Sequence, residues 1–202
     1  MKVPIEVSAH HFHASESDYR TLFGNQDPEP IKNLSQKGQF STNQTVQATT
    51  DSGEIKIRFL GPFRQETQVE ISRSDAYILK IDPPLRESVC RNSSLDKINN
   101  DNRLCGEGAE ITLIGPAGKI TKKMAIIAQR HLHINNQKAN ELGIRNNQMI
   151  KIKTNGPRSV VFDNVLARVS SDFDFQVHFD TDEANAAGLG LNDQGELVLE
   201  ER

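Results

Sequence analysis

The sequence lacks the features that would direct it to a membrane, to nucleic acid or out of the cell. No apolar run approaches the roughly 20 residues that a membrane-spanning helix needs. A net charge of -3 and a pI near 6.1 leave no basic excess for nucleic acid. Residues 1–4 lead straight into a strand-like segment, without the apolar core of a signal peptide. These absences predict a cytoplasmic protein.

Cysteine is scarce, with Cys90 and Cys105 the two in the chain. They flank an Asn-rich stretch, and neither belongs to a C-x-x-C pair, which excludes a four-thiolate zinc site. The missing export signal favours two free thiols over a loop disulfide. The chain also lacks a G-x-S-x-G elbow and any local signature of a catalytic cysteine, so nucleophilic serine or cysteine catalysis has no support.

The residues that are present describe a polar globular chain rich in short strands. Hydrophobic residues make up 36% and charged residues 25% of the sequence, and 202 residues can form one large core or two small ones. Ile55, Ile57 and Phe59 alternate with charged residues, which predicts a strand with one buried face. Similar runs bounded by turn residues predict a mainly β fold. They cover residues 5–9, 45–49, 54–60, 67–72, 110–114, 124–129, 148–153, 159–169 and 173–179.

Four short helices are expected among these strands. Residues 74–79 and 182–187 form two of them, and no long alternating β-α unit points to a doubly wound fold. The other two have a capping residue at the start and a glycine at the end. They are Glu16–Phe23 between Ser15 and Gly24, and Asn136–Leu142 between Asn135 and Gly143.

Two His-x-His pairs stand in matching surroundings and hold four of the six histidines. Each pair, His11-Phe12-His13 and His131-Leu132-His133, follows an apolar strand-like run and precedes a short helix that ends at glycine. Alternate side chains on a strand point to one face, so each pair can direct two imidazoles at one metal ion. Imidazole is a good zinc ligand, and two such pairs predict a duplicated half with a two-metal site.

The repeat supplies a third ligand for each pair. Residues 68–76 resemble residues 176–184, and this alignment sets Glu70 opposite His178. Three protein ligands with one open position are typical of catalytic zinc, whereas a structural zinc site is closed by four. The simpler alternative is that the histidines are surface residues or hydrogen-bonded core residues.

Several charged residues near the pairs are candidates for binding an anion. Arg64 lies on a turn just before Glu70 and could hold phosphate with its planar fork, although an exposed loop arginine is the simpler reading. Arg130 is a weaker candidate, and the lysines of residues 119–123 and 151–153 are expected to be solvated. His10 falls on the opposite strand face from His11, so it is not expected to be a ligand.

Four stretches of the chain resemble the phosphotransacylases of the PduL type. They are VPIEVS through HFH (residues 3–13), LGPFRQETQVEIS (60–72), AQRHLH (128–133) and FDNV through HFDTDEANAAG (162–188). The resemblance implies two similar β-barrel domains with short capping helices and an active site between them. We therefore expect halves at residues 1–88 and 123–202, joined by a connecting segment and crossing strand at 89–122.

The resemblance also implies an enzyme that transfers a short acyl group, propanoyl or acetyl, between coenzyme A and phosphate. It assigns His11, His13 and Glu70 to one zinc ion, and it assigns Arg64 to phosphate. The second zinc ion takes His131, His133 and His178. The implied partners are acyl-CoA and phosphate; a homo-oligomer remains open, and a kinase that uses acyl phosphate is a pathway neighbour by analogy.

The chain departs from the family pattern at three places. Ala9-His10 stands where the family has Asn-Arg, and the stretch from Cys90 to Cys105 is longer than usual. No extension resembling a microcompartment-targeting peptide precedes the barrel motif, which favours a free cytosolic enzyme. These departures change no predicted ligand.

Two other functions use the same kinds of ligand. A two-domain cupin-like metal protein also combines H-x-H with a glutamate and a later histidine, but cupins place the glutamate a few residues after the pair. Here the third ligands lie far downstream. A binuclear zinc hydrolase could use all six ligands to activate water, although Arg64 argues for phosphate instead.

Overall fold

The computed structural model describes residues 1–87, 107–190 and 192–198, so the segment from Cys90 to Cys105 lies outside it. The described residues are mainly β, as predicted. In chain order the strands are β1 (Lys2–Ser8), β2 (His11–His13), β3 (Pro30–Asn33), β4 (Phe40–Thr49), β5 (Glu54–Gly61), β6 (Gln68–Glu70), β7 (Leu85–Arg86), β8 (Ala109–Ile114), β9 (Lys119–Ala128), β10 (His131–Ile134), β11 (Met149–Lys153), β12 (Val161–Val169), β13 (Gln176–Asp180) and β14 (Gln194–Val198). The helices are α1 (Glu16–Phe23), α2 (Arg73–Leu79), α3 (Asn136–Leu142) and α4 (Thr181–Ala187). None of these helices is long and apolar enough to cross a membrane.

The chain divides into two compact units, which we name after the third ligand that each contains. The glutamate unit comprises residues 10–34 and 38–128 and contains Glu70. The histidine unit comprises residues 1–9, 35–37 and 129–202 and contains His178. The predicted halves, residues 1–88 and 123–202, are continuous stretches of sequence and not these compact units. They remain a prediction.

Both units are closed six-stranded barrels with the same strand order. The glutamate unit runs β9-β6-β2-β5-β4-β8 and closes through the pairing of β8 with β9. The histidine unit runs β1-β13-β10-β12-β11-β14 and closes through the pairing of β14 with β1. Parallel and antiparallel pairs follow one another in the same sequence around both barrels. The predicted two-barrel fold from an internal repeat is therefore confirmed.

The two barrels exchange one strand each. Strand β1 directly precedes β2 along the chain, yet it pairs with β13 and β14 in the histidine unit. Strand β9 directly precedes β10, yet it pairs with β6 and β8 in the glutamate unit. Each H-x-H pair thus follows a strand that belongs to the other barrel.

Local sequence signals explain where the helices begin and end. The Ser15 side chain accepts a hydrogen bond from the Asp18 amide at 3.2 Å, and the Asn135 side chain accepts one from the Lys138 amide at 2.8 Å. Helices α2 and α4 begin with capping boxes, in which a side chain of the first turn also bonds back to the N-cap amide. Gly143 follows α3 with a φ of 66°, a conformation that costs glycine little.

Each barrel has its own hydrophobic core. In each H-x-H pair the middle residue, Phe12 or Leu132, is fully buried among apolar side chains of the same unit. Full burial of one such side chain stabilises a fold by about 1.5–3 kcal/mol. Because the middle residue anchors the strand, the two histidines that flank it are held on the other face.

Close packing also requires glycine in the turn between β8 and β9. A Cβ atom at Gly115 would lie 2.4 Å from the Leu22 carbonyl oxygen of α1. The Ala117 amide donates to the same oxygen at 2.9 Å. This turn therefore holds α1, the helix that follows the first H-x-H pair.

Candidate metal centres

The first cluster of predicted ligands lies on two neighbouring strands of the glutamate unit. Antiparallel pairing of β2 with β6 sets His11 directly opposite Glu70. The carboxylate oxygens of Glu70 lie 3.6 Å from Nε2 of His11 and 3.8 Å from Nε2 of His13. All three residues are buried, and the two imidazole rings meet edge to face with their centroids 5.1 Å apart.

The tautomer of His13 leaves its Nε2 atom available to bind a metal ion. Its Nδ1 atom is 2.9 Å from the carbonyl oxygen of Leu60, which can only accept a hydrogen bond, so Nδ1 carries the proton. Burial lowers the pKa of His13 well below its ordinary value, and the charge of Arg64 lowers it further. A neutral imidazole with Nε2 deprotonated is the form that binds metal.

Arg64, which the family resemblance assigns to phosphate, lies beside this cluster. It occupies the loop between β5 and β6, and its amide donates to the Ala14 carbonyl oxygen at 2.9 Å. Its guanidinium Nη1 is 3.8 Å from Oε1 of Glu70, and about a quarter of its side chain is exposed. A partly exposed cation next to a buried ligand set can meet an anion that arrives from solvent.

Two polar residues that support Glu70 were not identified from the sequence. The Gln68 amide Nε2 donates to Oε1 of Glu70 at 3.0 Å, and Arg86 Nη2 donates to Oε1 of Gln68 at 3.4 Å. Both side chains are buried. One signal for Gln68 was available, because the repeat has glutamine at both matched positions, 68 and 176. Arg86 has no local signal, since only folding brings β7 near β6.

The second cluster has the same arrangement in the histidine unit. Antiparallel pairing of β10 with β13 sets His131 directly opposite His178. The ring centroids of His131, His133 and His178 lie 4.6 to 4.9 Å apart, and the His131 and His178 rings are stacked within 2° of parallel. In both units, therefore, the strand register sets the first histidine of the pair directly opposite the third ligand.

His131 has its tautomer fixed in the same way as His13. Its Nδ1 atom lies 2.8 Å from the Gln129 carbonyl oxygen and must donate its proton there. Burial lowers the pKa of His131 well below its ordinary value, and the nearby His178 and Arg168 lower it further. Phe173 stacks on His133 with centroids 4.2 Å apart and fixes the plane of that ring.

The donor sets fit zinc. In each cluster three side chains offer ligand atoms that lie within 4.8 Å of one another. Imidazole nitrogen and carboxylate oxygen are both zinc ligands, and three of them leave the fourth tetrahedral position open. The two clusters differ in charge because a carboxylate serves in the glutamate unit where an imidazole serves in the histidine unit.

Arg130 and Lys122, two of the other charged candidates, have protein partners. Arg130 Nε lies 2.7 Å from Oε1 of Glu183, and Lys122 Nζ lies 2.7 Å from Oδ1 of Asp18. His10 Nδ1 lies 3.1 Å from Oδ1 of Asp75, so it faces away from the ligands, as the strand alternation predicted. Among the candidate anion-binding residues, Arg64 is the one that lies against a ligand cluster.

Comparison with known proteins identifies relatives across nearly the whole chain. The family model for phosphate propanoyltransferase matches residues 4–190. A phosphate propanoyltransferase from Thermotoga maritima is 42% identical over 193 residues, which cover 94% of this chain and 85% of the relative. One from Priestia megaterium is 42% identical over 202 residues, covering 98% and 87%, and one from Limosilactobacillus reuteri is 36% identical over 205 residues, covering 99% and 89%.

Proposed function

Because the chain belongs to the phosphate propanoyltransferase family and is thus an acyltransferase, we propose that it moves a propanoyl or acetyl group between coenzyme A and inorganic phosphate. The proposed site consists of two zinc ions held by the two ligand clusters, with Arg64 as the phosphate-binding residue. The observation that carries this proposal is the position of the Arg64 guanidinium, 3.8 Å from the Glu70 carboxylate within the first cluster.

The reaction joins a phosphate oxygen to the carbonyl carbon of the thioester. The new carbon–oxygen bond forms as the carbon–sulfur bond breaks, and the sulfur leaves with the electron pair as the coenzyme A thiolate. The reverse reaction follows the same path from acyl phosphate. No covalent acyl-enzyme is needed for the atoms to balance, in keeping with the lack of a recognisable nucleophile in the sequence.

Arg64 contributes by binding and orienting the phosphate dianion. A guanidinium presents two parallel N–H donors that match two phosphate oxygens, and holding the nucleophile in place lowers the barrier by several kcal/mol. The hydrogen bond from its backbone amide to the Ala14 carbonyl oxygen fixes the loop from which the side chain extends. The neutral imidazoles of His13 and His131 add no positive charge to compete for phosphate.

Zinc, when bound with one open position, supplies a Lewis acid for the thioester carbonyl and a partner for the leaving thiolate. The chain's own part would be to hold each ion with a cluster in which one imidazole, His13 or His131, is neutral and donates its Nδ1–H to a backbone carbonyl. The burial of His11, His13 and Glu70 also limits the access of water, which would otherwise hydrolyse the thioester.

The test is the release of free thiol from propanoyl-CoA and acetyl-CoA with and without phosphate, together with zinc analysis of the purified protein. We expect phosphate-dependent release and two zinc ions per chain. Arg64→Ala should lower kcat/KM for phosphate by about 100-fold, because a bidentate charge-assisted contact contributes roughly 3 kcal/mol. His131→Ala should lower the zinc content.

The matched control is Arg73→Ala, which removes an exposed arginine of the same unit that pairs with Asp82. This control should retain full activity. Thiol release that does not depend on phosphate would show a hydrolase instead. Full activity in both Arg64→Ala and His131→Ala would contradict the assigned roles.

A further inference from the structure

The two units share a contact between a basic side chain and an acidic side chain at the same place in the repeat, outside the ligand clusters. In the glutamate unit, His10 Nδ1 lies 3.1 Å from Oδ1 of Asp75. In the histidine unit, Arg130 Nε lies 2.7 Å from Oε1 of Glu183. The residues differ between the units while the pairing is the same, which points to a common purpose for the contact.

The position of each partner is defined by the ligands. His10 and Arg130 each directly precede the first histidine of an H-x-H pair. Asp75 and Glu183 are each the third residue of the helix that follows the third ligand, and each belongs to the capping box of that helix. Each pair therefore joins the start of the H-x-H strand to the end of the third-ligand strand.

The register of the H-x-H strand against the third-ligand strand shows which residues this contact can hold in place. His11 lies opposite Glu70, and His131 lies opposite His178, at the end of each two-stranded ribbon. The contact between the basic and the acidic side chain lies just beyond that position, at the end of the ribbon. A shift or fraying of either strand at this end would separate the first histidine from the third ligand.

We propose that the His10–Asp75 and Arg130–Glu183 pairs are clamps that hold the third ligand opposite the H-x-H pair in each metal centre. His10 and Arg130 are positioning residues, because strand alternation turns them away from the ligands next to them. They also mark the points where the chain leaves one unit for the other, so each clamp fixes the H-x-H strand immediately after that crossing. This inference rests on the metal centres of the proposed function.

The test measures the affinity and the visible absorption spectrum of Co²⁺ at one centre at a time. His131→Ala blocks the histidine unit, so that Co²⁺ reports on the glutamate unit; His11→Ala serves the converse purpose. In the first background we expect His10→Ala to weaken Co²⁺ binding about 10-fold or more and to shift the spectrum, as loss of a group that orients a ligand does. In the second background Arg130→Ala should do the same.

The decisive variant is His10→Arg, which gives the glutamate unit the cation found at the matched position of the histidine unit. It should restore Co²⁺ affinity to within about twofold of the parent, an outcome that a general packing defect would not produce. The controls are Arg73→Ala and Lys151→Ala, which remove partly or fully exposed ion pairs, one in each unit. Far-UV circular dichroism checks that each variant is folded.

Two results would overturn the inference. One is unchanged Co²⁺ affinity and spectrum in His10→Ala and Arg130→Ala, with the parent backgrounds binding Co²⁺ normally; the proposed function would then stand without the clamps. The other is a failure of His10→Arg to restore what His10→Ala loses. A parent chain that binds no Co²⁺ at either centre would overturn the metal centres themselves and the clamps with them.

Discussion

At the scale of single residues, each proposed metal centre contains one imidazole whose Nδ1–H donates a hydrogen bond to a backbone carbonyl. Leu60 fixes His13 and Gln129 fixes His131 in this way. A single substitution could remove a side chain that accepts this hydrogen bond, but it cannot remove a backbone carbonyl oxygen. The tautomer of each ligand is therefore a property of the strand conformation.

The same two histidines make the metal-free protein sensitive to acid. Burial holds their pKa values below 6.5 in the folded chain, and unfolding returns them to about that value. The unfolded chain then binds more protons, so the stability they contribute is present above pH 6.5 and is lost as pH falls below it. We expect the urea midpoint of chelator-treated protein to stay level above about pH 7 and to fall as the pH drops from about 6.5 to 5.

Replacement of His13 by glutamine tests this assignment, because an amide has no charged form in this range. The pH dependence of the urea midpoint should become shallower in His13→Gln than in the parent. An unchanged slope would show that other groups cause the acid sensitivity.

At the scale of elements, the loop between β5 and β6 is held by a polar network that starts on α1. Buried Asp18 accepts hydrogen bonds from Lys122 and from the Thr67 hydroxyl, and Thr67 Oγ1 also accepts one from the Ser15 amide at 3.1 Å. Burial alone would raise the pKa of Asp18, but its bonds to Lys122 and Thr67 outweigh burial and keep the pKa below the ordinary value. The network thus holds a charged carboxylate at the base of the loop that carries Arg64.

We expect Asp18→Asn to disturb phosphate binding without changing the metal content. Loss of the charge weakens the bonds to Lys122 and Thr67, costs about 1–2 kcal/mol of stability, and loosens the loop. KM for phosphate should rise several-fold while kcat changes less. Steady-state kinetics and zinc analysis measure both effects.

Asp27→Asn is the matched control, since this carboxylate pairs with Arg20 but is 81% exposed. It should leave KM for phosphate unchanged. A loss of stability in Asp18→Asn with no change in that KM would show that the network supports the fold and has no part in phosphate binding.

The elements also show how far sequence reasoning extends. The four helices were predicted because their signals are local: Ser15 and Asn135 provide N-caps, and glycines end α1 and α3. Strands β3, β7 and β14 were missed, since they are two to five residues long and have no clear alternation over that length. The strand partners could not be read from one sequence because they are set by contacts between distant segments.

The candidate site followed the same rule. The six candidate ligands were predicted from the matched positions of the repeat, and the role of Arg64 was predicted from the family resemblance. Gln68 was missed although it contacts Glu70 only two residues away. Arg86 and the two acids of the clamps were missed because each contacts a residue far along the chain. Such contacts have no period and no fixed spacing.

At the scale of the whole molecule, strand β1 makes the barrel of the histidine unit depend on segments from both ends of the sequence. Strand β1 stands between β13, which carries His178, and β14. Its removal would open the barrel of the histidine unit and leave two unpaired strand edges. The glutamate unit contains no residue of this strand.

We therefore expect a chain that lacks residues 1–8 to lose zinc from the histidine unit and to keep it in the glutamate unit. Zinc content should fall from two ions to one, and amide hydrogen exchange should increase in residues 131–180. A synthetic peptide of residues 1–9 should reverse both changes by adding back as a strand. Lys2→Ala, at an exposed position of the same strand, is the control. Retention of two zinc ions by the shortened chain would contradict this dependence.

The exchanged strand also sets an order of events on the ribosome. Residues 2–8 are made before their partners in β13 and β14, whereas the barrel of the glutamate unit contains no residue beyond 128. The barrel of the glutamate unit can therefore close while translation continues, and strand β1 waits with its amides unpaired until β13 and β14 are made. Lys2, Pro4 and Glu6 on that strand are residues that discourage pairing with a neighbouring nascent chain.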